Sequence, residues 1–367
     1  MGASEAREQF KISFRQSPES NWQASAQNEV MKIMTARLRQ PPLPQLRPLI
    51  PPRAPSRCKV DTLLVPIDFS AGSRKALEYA LALKDEFGAQ LHLVHVCDFD
   101  LAPSTYQAIS LALTHGEMTR QWKLRLRDLA GESGIVLPPE NLHVMTGRAY
   151  HEICQLADRL GVDLIITSTR GHTGLKHVLF GSTAERVVQH SPSAVLVVRE
   201  GERDCLETDA RHDRVFRLEK ILVPLDFSEC STAGLEFAVP FAHFWKARLV
   251  LFHAVPVTTL SPDGPFGARD FTSYIDLQTP AENDLRAIAS EMLGRGVAVE
   301  TVVQSGPAAR QICDYAETHQ ADLIITSTHG STGFVHAVMG STAEHVVRYA
   351  HCPVLVVPTR KRGESKT

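Results

Sequence analysis

The sequence predicts an α/β protein that contains two tandem copies of one domain built on an open, parallel β-sheet. Three observations lead to this prediction. The chain repeats itself at long range, short apolar runs alternate with helical stretches, and the length of 367 residues exceeds what one ordinary core requires.

The long-range repeat is nearly exact in several short segments. The offset is 158 residues from Asp68 to Asp226 and 159 residues from Gly181 to Gly340. A net insertion of one residue over a whole domain indicates a duplicated domain rather than a solenoid of short repeats. The recurring segments are LLVPIDFS at 63–70 and ILVPLDFS at 221–228, DLIITST at 163–169 and 322–328, GSTAE at 181–185 and 340–344, and VLVV at 195–198 and 354–357.

Apolar runs without polar alternation predict the strands, because parallel strands buried on both faces have this composition. Helical stretches separate the runs. Ser70 is placed to cap the first helix and Gly88 to end it, and further helices are predicted over 118–129, 151–160 and 183–189. Strands joined by helices imply an open parallel sheet, whose ligands bind at the carboxyl ends of the strands. The predicted strands are 62–67, 91–96, 142–146, 163–168 and 194–199, then 220–225, 249–254, 298–304, 322–327 and 353–358.

The regions outside these patterns predict a tail and a linker. Residues 1–57 are rich in Gln, Arg, Ser and Pro and cannot bury enough apolar surface to fold, so a disordered tail is expected, with one short helix near 28–38. The charged residues 200–216 are interpreted as a linker. The predicted domains are 58–199 and 217–360, and the loops at 98–117 and 255–280 are expected to be long and divergent.

Composition argues against several functional classes. The formal net charge of −2 gives no electrostatic reason to expect nucleic acid or an anionic membrane as partner. No apolar stretch reaches ~18 residues, which argues against a transmembrane helix. The seven cysteines form no CxxC pair, which argues against zinc and disulfides and fits a reducing, cytoplasmic location.

A glycine- and serine-rich loop follows the fourth strand of each copy, and a Gly-Ser pair then opens a helix. Phosphates need close backbone approach and the free N–H groups of a helix N-terminus, so this pattern favours phosphate binding. The alternative is that the glycines make tight turns and the serines cap helices. No Walker lysine is present. The residues concerned are Ser168, Arg170, Gly171, Gly174, Gly181, Ser182 and Thr183 in the first copy, and Ser327, His329, Gly330, Gly333, Gly340, Ser341 and Thr342 in the second.

Further candidates end the first and second strands. Asp68 and Asp226 could accept a hydrogen bond from a base or ribose, or they could serve the N-cap of the next helix. The backbone of Val96 and Ala254 could read an adenine edge. The histidines that precede these two residues are interpreted as core residues whose hydrogen bonds are satisfied.

These motifs resemble the universal stress protein family over about 58–199 and 217–358. The resemblance rests on strand-Pro-x-Asp-x-Ser, the glycine loop, a short helix and the VLVV strand. It implies two Rossmann-like domains of strand order 3-2-1-4-5. It also implies that ATP or AMP binds across strands 1 and 4, with Mg²⁺ as a candidate cofactor. By position, Pro66, Asp68, Val96, Pro224, Asp226 and Ala254 would contact adenine and ribose, and Gly171, Gly181, Ser182, Thr183, Gly330, Gly340, Ser341 and Thr342 would hold ribose and phosphates.

One departure from the family pattern is shared by both copies. Ser168 and Ser327 stand where the family loop begins with glycine, and a serine there either crowds the nucleotide or donates an extra hydrogen bond. The copies also differ, because Arg170 is always charged whereas His329 is charged only when protonated. The first site is therefore expected to hold a triphosphate better.

The leading functional hypothesis is a nucleotide-binding stress or signalling protein with at most slow ATP turnover, because no nucleophile–base–orienter set is visible. The alternatives are a nucleotide-free interaction module and a weak ATPase switched by a partner. Single-domain relatives pair through their last strands, and residues 195–199 and 354–358 would otherwise leave apolar sheet edges. A pseudo-twofold dimer within one chain is therefore predicted; a further homodimer is compatible with the sequence but not required by it.

Overall fold

The computed structural model describes residues 60–97, 105–169, 181–199, 203–208, 214–256, 270–328 and 339–358, with the backbone alone described at 105–115 and 270–277. The predicted tail and its short helix therefore lie outside the described residues. The predicted strands agree with the observed ones to within two residues at either end. No helix among the described residues combines the length and hydropathy needed to cross a bilayer.

The two halves contain the same succession of elements. The first half comprises β1 Thr62–Pro66, α1 Ala71–Phe87, β2 Gln90–Cys97, α2 Thr105–Glu132, β3 Leu142–Thr146, α3 Ala149–Leu160, β4 Leu164–Ser168, α4 Ser182–His190 and β5 Ala194–Val198. Two short strands, β6 Leu206–Thr208 and β7 Arg214–Phe216, follow. The second half comprises β8 Lys220–Pro224, α5 Glu229–Trp245, β9 Arg248–Val255, α6 Asp270–Gly294, β10 Val299–Ser305, α7 Ala308–Thr318, β11 Leu323–Ser327, α8 Ser341–Tyr349 and β12 Val354–Val357.

The described strands of both halves join in one ten-stranded sheet of order β10-β9-β8-β11-β12-β5-β4-β1-β2-β3. Each half is parallel and has the predicted order 3-2-1-4-5, whereas β5 and β12 pair antiparallel across the seam. Leu196 lies opposite Leu355, its own counterpart in the repeat, and the flanking pairs are symmetric about it. A pseudo-twofold axis therefore passes through this pair, and the predicted dimer within one chain is confirmed.

An aspartate fixes the amino-terminal end of the central strands in each half. The Asp163 carboxylate accepts hydrogen bonds from the backbone N–H groups of Asp61 (2.9 Å) and Thr62 (3.0 Å). Asp322 accepts from Glu219 and Lys220 in the same way, at 2.8 Å each. These bonds align β1 with β4 and β8 with β11, which accounts for the aspartate that begins DLIITST in both copies.

The predicted loops at 98–117 and 255–280 are too long, because α2 begins at Thr105 and α6 at Asp270. In the second half, Pro280 was interpreted as the end of a loop, yet it lies inside α6. A proline removes one intrahelical hydrogen bond, but burial of Leu285 and Met292 against the sheet stabilises the helix around it. Tertiary packing therefore overrides the local signal.

The segment predicted to be a charged linker contains the antiparallel hairpin β6–β7. The backbone N–H of Cys205 donates to the Tyr79 hydroxyl on α1 (3.0 Å), and the ring of Tyr79 meets Phe216 edge-on at 5.9 Å. On the other side, the Arg203 guanidinium pairs with Asp322 at 2.7 Å. The hairpin thus connects helix α1 of the first half to the strand ends of the second.

Replacing Tyr79 by phenylalanine, the residue that the second half has at the equivalent position 237, tests this connection. The Cys205 N–H would lose its acceptor, and a buried unsatisfied donor typically costs about 1–3 kcal/mol. We expect the free energy of unfolding, measured with urea, to fall by this amount in Tyr79→Phe. An unchanged midpoint would show that the hydrogen bond contributes nothing to stability.

A pair of histidines occurs only in the first half. His92 on β2 and His143 on the edge strand β3 share a hydrogen bond of 3.0 Å between Nδ1 and Nε2. Burial lowers the pKa of both rings, and that of His143 falls to about 4 because His92, Lys123 and Arg159 add positive charge. Strand register places Val250 and Val302 at the equivalent positions of the second half.

These histidines bind protons less readily in the folded protein than in the unfolded chain, so protonation favours unfolding. The free energy of unfolding therefore decreases as the pH falls from about 6.5 towards 4. We expect the urea midpoint to fall between pH 7 and pH 5, and to fall less in the double variant His92→Val/His143→Val. Equal falls in the two proteins would contradict the assignment.

Candidate functional site

In each half, described residues line a cavity at the carboxyl edge of the sheet, at the point where the strand order reverses. The cavities measure about 260 Å³ in the first half and about 500 Å³ in the second. Ligands of open parallel sheets bind at this position. The structure brings together the predicted site residues Pro66, Asp68, Val96, Ser168, Gly181, Ser182 and Thr183 around the first cavity, and Pro224, Asp226, Ala254, Ser327, Gly340, Ser341 and Thr342 around the second.

The remaining predicted site residues belong to the loop between the fourth strand and the next helix. Arg170, Gly171, Gly174, His329, Gly330 and Gly333 all lie outside the described residues. The described geometry of each site therefore consists of the strand ends, the turns after the first and third strands and the N-terminus of α4 or α8.

Helices α4 and α8 both begin with glycine as the N-cap, so no cap side chain covers their first N–H groups. The Gly181 N–H donates to the carbonyl of Thr169 at 2.7 Å, and an added Cβ would lie 3.3 Å from that oxygen. Ser182 and Thr183 follow with exposed side chains. Backbone N–H groups, hydroxyl groups and the helix dipole thus meet at one end of the cavity, an arrangement suited to an anion.

Helix α1 differs because a side chain caps it. Ser70 Oγ accepts from the Ser73 N–H at 3.2 Å. Asp68 accepts from Ser70 through both its N–H (3.0 Å) and its hydroxyl (2.6 Å), so the serine is the cap and the aspartate orients it. Asp226 and Ser228 repeat this geometry with 3.1 Å and 2.6 Å. The intervening residues Phe69 and Phe227 adopt φ of 63° and 60°, a region that is uncommon for bulky side chains.

The histidines before Val96 and Ala254, interpreted from the sequence as core residues, are half-buried and line the cavities, and one ring nitrogen of each is paired with a backbone carbonyl. His95 Nδ1 lies 2.7 Å from the carbonyl oxygen of Ile67, and His253 Nδ1 lies 2.7 Å from that of Leu225. A carbonyl only accepts, so each Nδ1 carries the proton. Burial lowers the pKa of His95, the Ile67 carbonyl and Asp68 oppose that shift, and the Arg125 charge adds to it.

The sequence interpretation missed the turn after the third strand. Gly147 and Gly306 have φ of 140° and 136°, and their N–H groups donate to the carbonyls of Cys97 and Val255, each at 3.0 Å. The following Ala149 and Ala308 line the cavities. The signal was present as a repeat of Gly-x-Ala-x-x-x-Ile-Cys at 147–154 and 306–313.

The two cavities are not identical. Val96 in the first half corresponds to the smaller Ala254 in the second, and the exposed Arg148 corresponds to Pro307. The first cavity is thus the smaller in volume, and an exposed arginine precedes its lining residue Ala149. No group of three or more His, Cys, Asp or Glu suited to a metal ion occurs among the described residues.

Comparison with known proteins agrees with the duplicated architecture. The family model described as universal stress protein family matches residues 59–199 and 217–358. A universal stress protein of Mycolicibacterium smegmatis is 25% identical over 316 residues, covering 81% of this chain and 97% of that protein. One from Methanocaldococcus jannaschii is 31% identical over 144 residues, 39% of this chain and 84% of that protein.

The fold also resembles a solved structure. The crystal structure of a universal stress protein from Archaeoglobus fulgidus superposes with a TM-score of 0.58 at 22% identity and covers 83% of this chain and 100% of that one. Two family matches that together span most of the sequence coincide with the two halves of the sheet. The chain therefore belongs to the universal stress protein family, with one family domain in each half.

Proposed function

We propose that each half binds one adenine nucleotide, ATP or AMP, and that the protein acts in the cytoplasm as a stress-response or signalling protein with at most slow ATP turnover. The observation that carries the proposal is the uncapped N-terminus of α4 and of α8, which faces a cavity in both halves. A nucleotide combines an anion with a flat ring, and each cavity offers an anion site at one end and strand-end backbone at the other.

The phosphates would lie against the first N–H groups of α4 or α8. In the first half, the Ser182 and Thr183 hydroxyls would donate to phosphate oxygens, and the absence of a Cβ at Gly181 would let the phosphate approach the backbone. The base and ribose would extend towards Asp68 and Val96. Ser341, Thr342, Asp226 and Ala254 would have the same roles in the second half.

Slow turnover is proposed because His95 and His253, the histidines among the described lining residues, are hydrogen-bonded to backbone carbonyls rather than to a hydroxyl group. Asp68 and Asp226 are the acidic residues among these lining residues, and each accepts two hydrogen bonds from the following serine. Mg²⁺ would therefore reach the site bound mainly to phosphate and water, as it commonly does. The chain would hold the nucleotide as a signal rather than consume it.

Nucleotide content and thermal shift test the proposal. We expect mass spectrometry of gently denatured, purified protein to detect ATP, ADP or AMP. Added ATP should also raise the unfolding temperature, since a ligand at one hundred times its Kd stabilises a protein by about 2.7 kcal/mol. If no nucleotide is found and no shift occurs, the nucleotide-free interaction module becomes the better description.

Glutamate at the helix N-termini tests the anion site itself. In Thr183→Glu the new carboxylate would compete with phosphate for the same N–H groups, so we expect ATP affinity of the first half to fall at least about tenfold. Acidic residues stabilise a helix N-terminus by about 0.3–1 kcal/mol, so the fold should not be weakened. Thr342→Glu should have the same effect on the second half, as isothermal titration calorimetry can show.

Thr183→Gln and Thr342→Gln are the matched controls, because they add the same bulk without charge. They should retain more ATP affinity than the glutamate variants. Equal affinity in the glutamate variants and the wild type would place the phosphates elsewhere.

A further inference from the structure

The two Asp-Phe-Ser turns differ in what packs behind them. In the first half, the Phe69 ring stacks on Trp122 of α2, with centroids 5.5 Å apart and planes inclined by 26°. His95 contacts both rings, at 5.2 Å from Phe69 and 4.3 Å from Trp122. The Arg125 guanidinium lies 5.0 Å from the Phe69 centroid and 4.8 Å from that of Trp122. We call these four residues the aromatic clamp.

The second half lacks such a clamp among its described side chains. Phe227 packs against His253, with centroids 4.6 Å apart. The part of α6 whose side chains the structure describes, residues 278–294, contains no aromatic residue. The two halves therefore differ in the helix beside the turn, α2 or α6. The Asp-Phe-Ser turn itself has almost the same geometry in both halves.

The clamp acts on a strained position. Phe69 has φ of 63°, and a bulky side chain remains in this region only where its surroundings determine the conformation. Asp68 immediately precedes Phe69, and its carboxylate orients Ser70 by two hydrogen bonds. Fixing the Phe69 ring from several sides therefore fixes the backbone that presents Asp68 to the cavity.

We propose that Trp122 and Arg125 are positioning residues that preorganise the first nucleotide site, so that this site binds ATP more tightly and releases it more slowly than the second. This inference rests on the proposed function. Neither side chain lines the cavity, so they act through Phe69 and the Asp68 turn and through His95, which does line it. A preorganised site binds its ligand more tightly because fewer side chains and backbone segments lose conformational entropy on binding.

The cavities agree with this division of roles. The first is the smaller, at about 260 Å³, and has Val96 in its lining, whereas the second measures about 500 Å³ and has Ala254 at that position. The first half would keep its nucleotide, and the second would exchange its nucleotide with the surrounding pool.

The test measures ATP affinity of each site in the full chain by calorimetry. Thr342→Glu weakens the second site so that the first dominates the titration, and Thr183→Glu does the reverse. We expect the first site to bind ATP more tightly than the second. Trp122→Ala should weaken ATP binding at the first site roughly tenfold, since the interaction energy of a stacked aromatic pair corresponds to about a tenfold change in Kd. Trp122→Phe should retain most of the wild-type ATP affinity of the first site. Arg125→Ala should lower this affinity, but less than Trp122→Ala does.

Two controls separate positioning from a general effect on the fold. Arg127→Ala removes an exposed cation from the same helix and should leave both affinities unchanged. Trp122→Ala should leave the second site unchanged. Hydrogen exchange followed by mass spectrometry should show faster exchange at residues 68–70 in nucleotide-free Trp122→Ala, a change that loss of bulk stability alone would not confine to this turn.

The outcomes are distinguishable. If neither site binds ATP in any variant, the proposed function fails and the inference fails with it. If both sites bind ATP but with equal affinity, or if Trp122→Ala and Arg125→Ala leave the first site unchanged, the inference alone is overturned. Should Trp122→Ala not fold, the Trp122→Phe and Arg125→Ala affinities still decide between these results.

Discussion

Strands β1 and β4 pair at two registered positions near their amino-terminal ends, Leu63 with Leu164 and Leu64 with Ile165. Beyond these pairs, β1 continues beside β2 and β4 continues beside β5, so the strands separate towards their carboxyl ends. Pro66 suits this divergence because it has no N–H to donate. The cavity exists because of this separation, and β8 and β11 repeat the arrangement in the second half.

Duplication removes the exposed sheet edges that β5 and β12 would otherwise form. The edges that would be left by β5 and β12 are buried against each other, with Leu196 and Leu355 each about 1% exposed. Pairing of two apolar edges removes the unpaired backbone groups that would otherwise invite aggregation. Because both copies contribute the same strand, the seam is self-complementary, and the two cavities are related by its axis.

Symmetry of the backbone does not extend to the residues around the sites. The first half has Trp122 and Arg125 behind its turn and Val96 in its cavity, whereas the second has Ala254 and a roomier cavity. His92 and His143 likewise occur in the first half alone, where valines stand in the second. Such differences allow two copies of one fold to respond differently to the same ligand and to the same pH.

The sequence alone determined the duplication, the strands and most of the described site. Exact repeats such as GSTAE and the lack of polar alternation in buried parallel strands are local signals, and both are visible without coordinates. The sequence also placed Asp68, Gly181 and Ser182 at strand and helix ends, where the structure finds them around one cavity. The turn at Gly147 was visible as a repeat but was not recognised, because its φ and its contact with the neighbouring strand depend on residues distant in the chain.

Only the tertiary structure decided which residues meet across the chain. It showed that a charged linker forms a hairpin held by Tyr79, that α6 continues through Pro280, and that Trp122 stacks on Phe69. For the hairpin and for α6, contacts between distant segments outweigh the local preference, because burial of a whole face stabilises more than a single propensity or a lost hydrogen bond. The sequence thus determined what is repeated and which residues differ, and packing decided which of those residues meet around each turn and cavity.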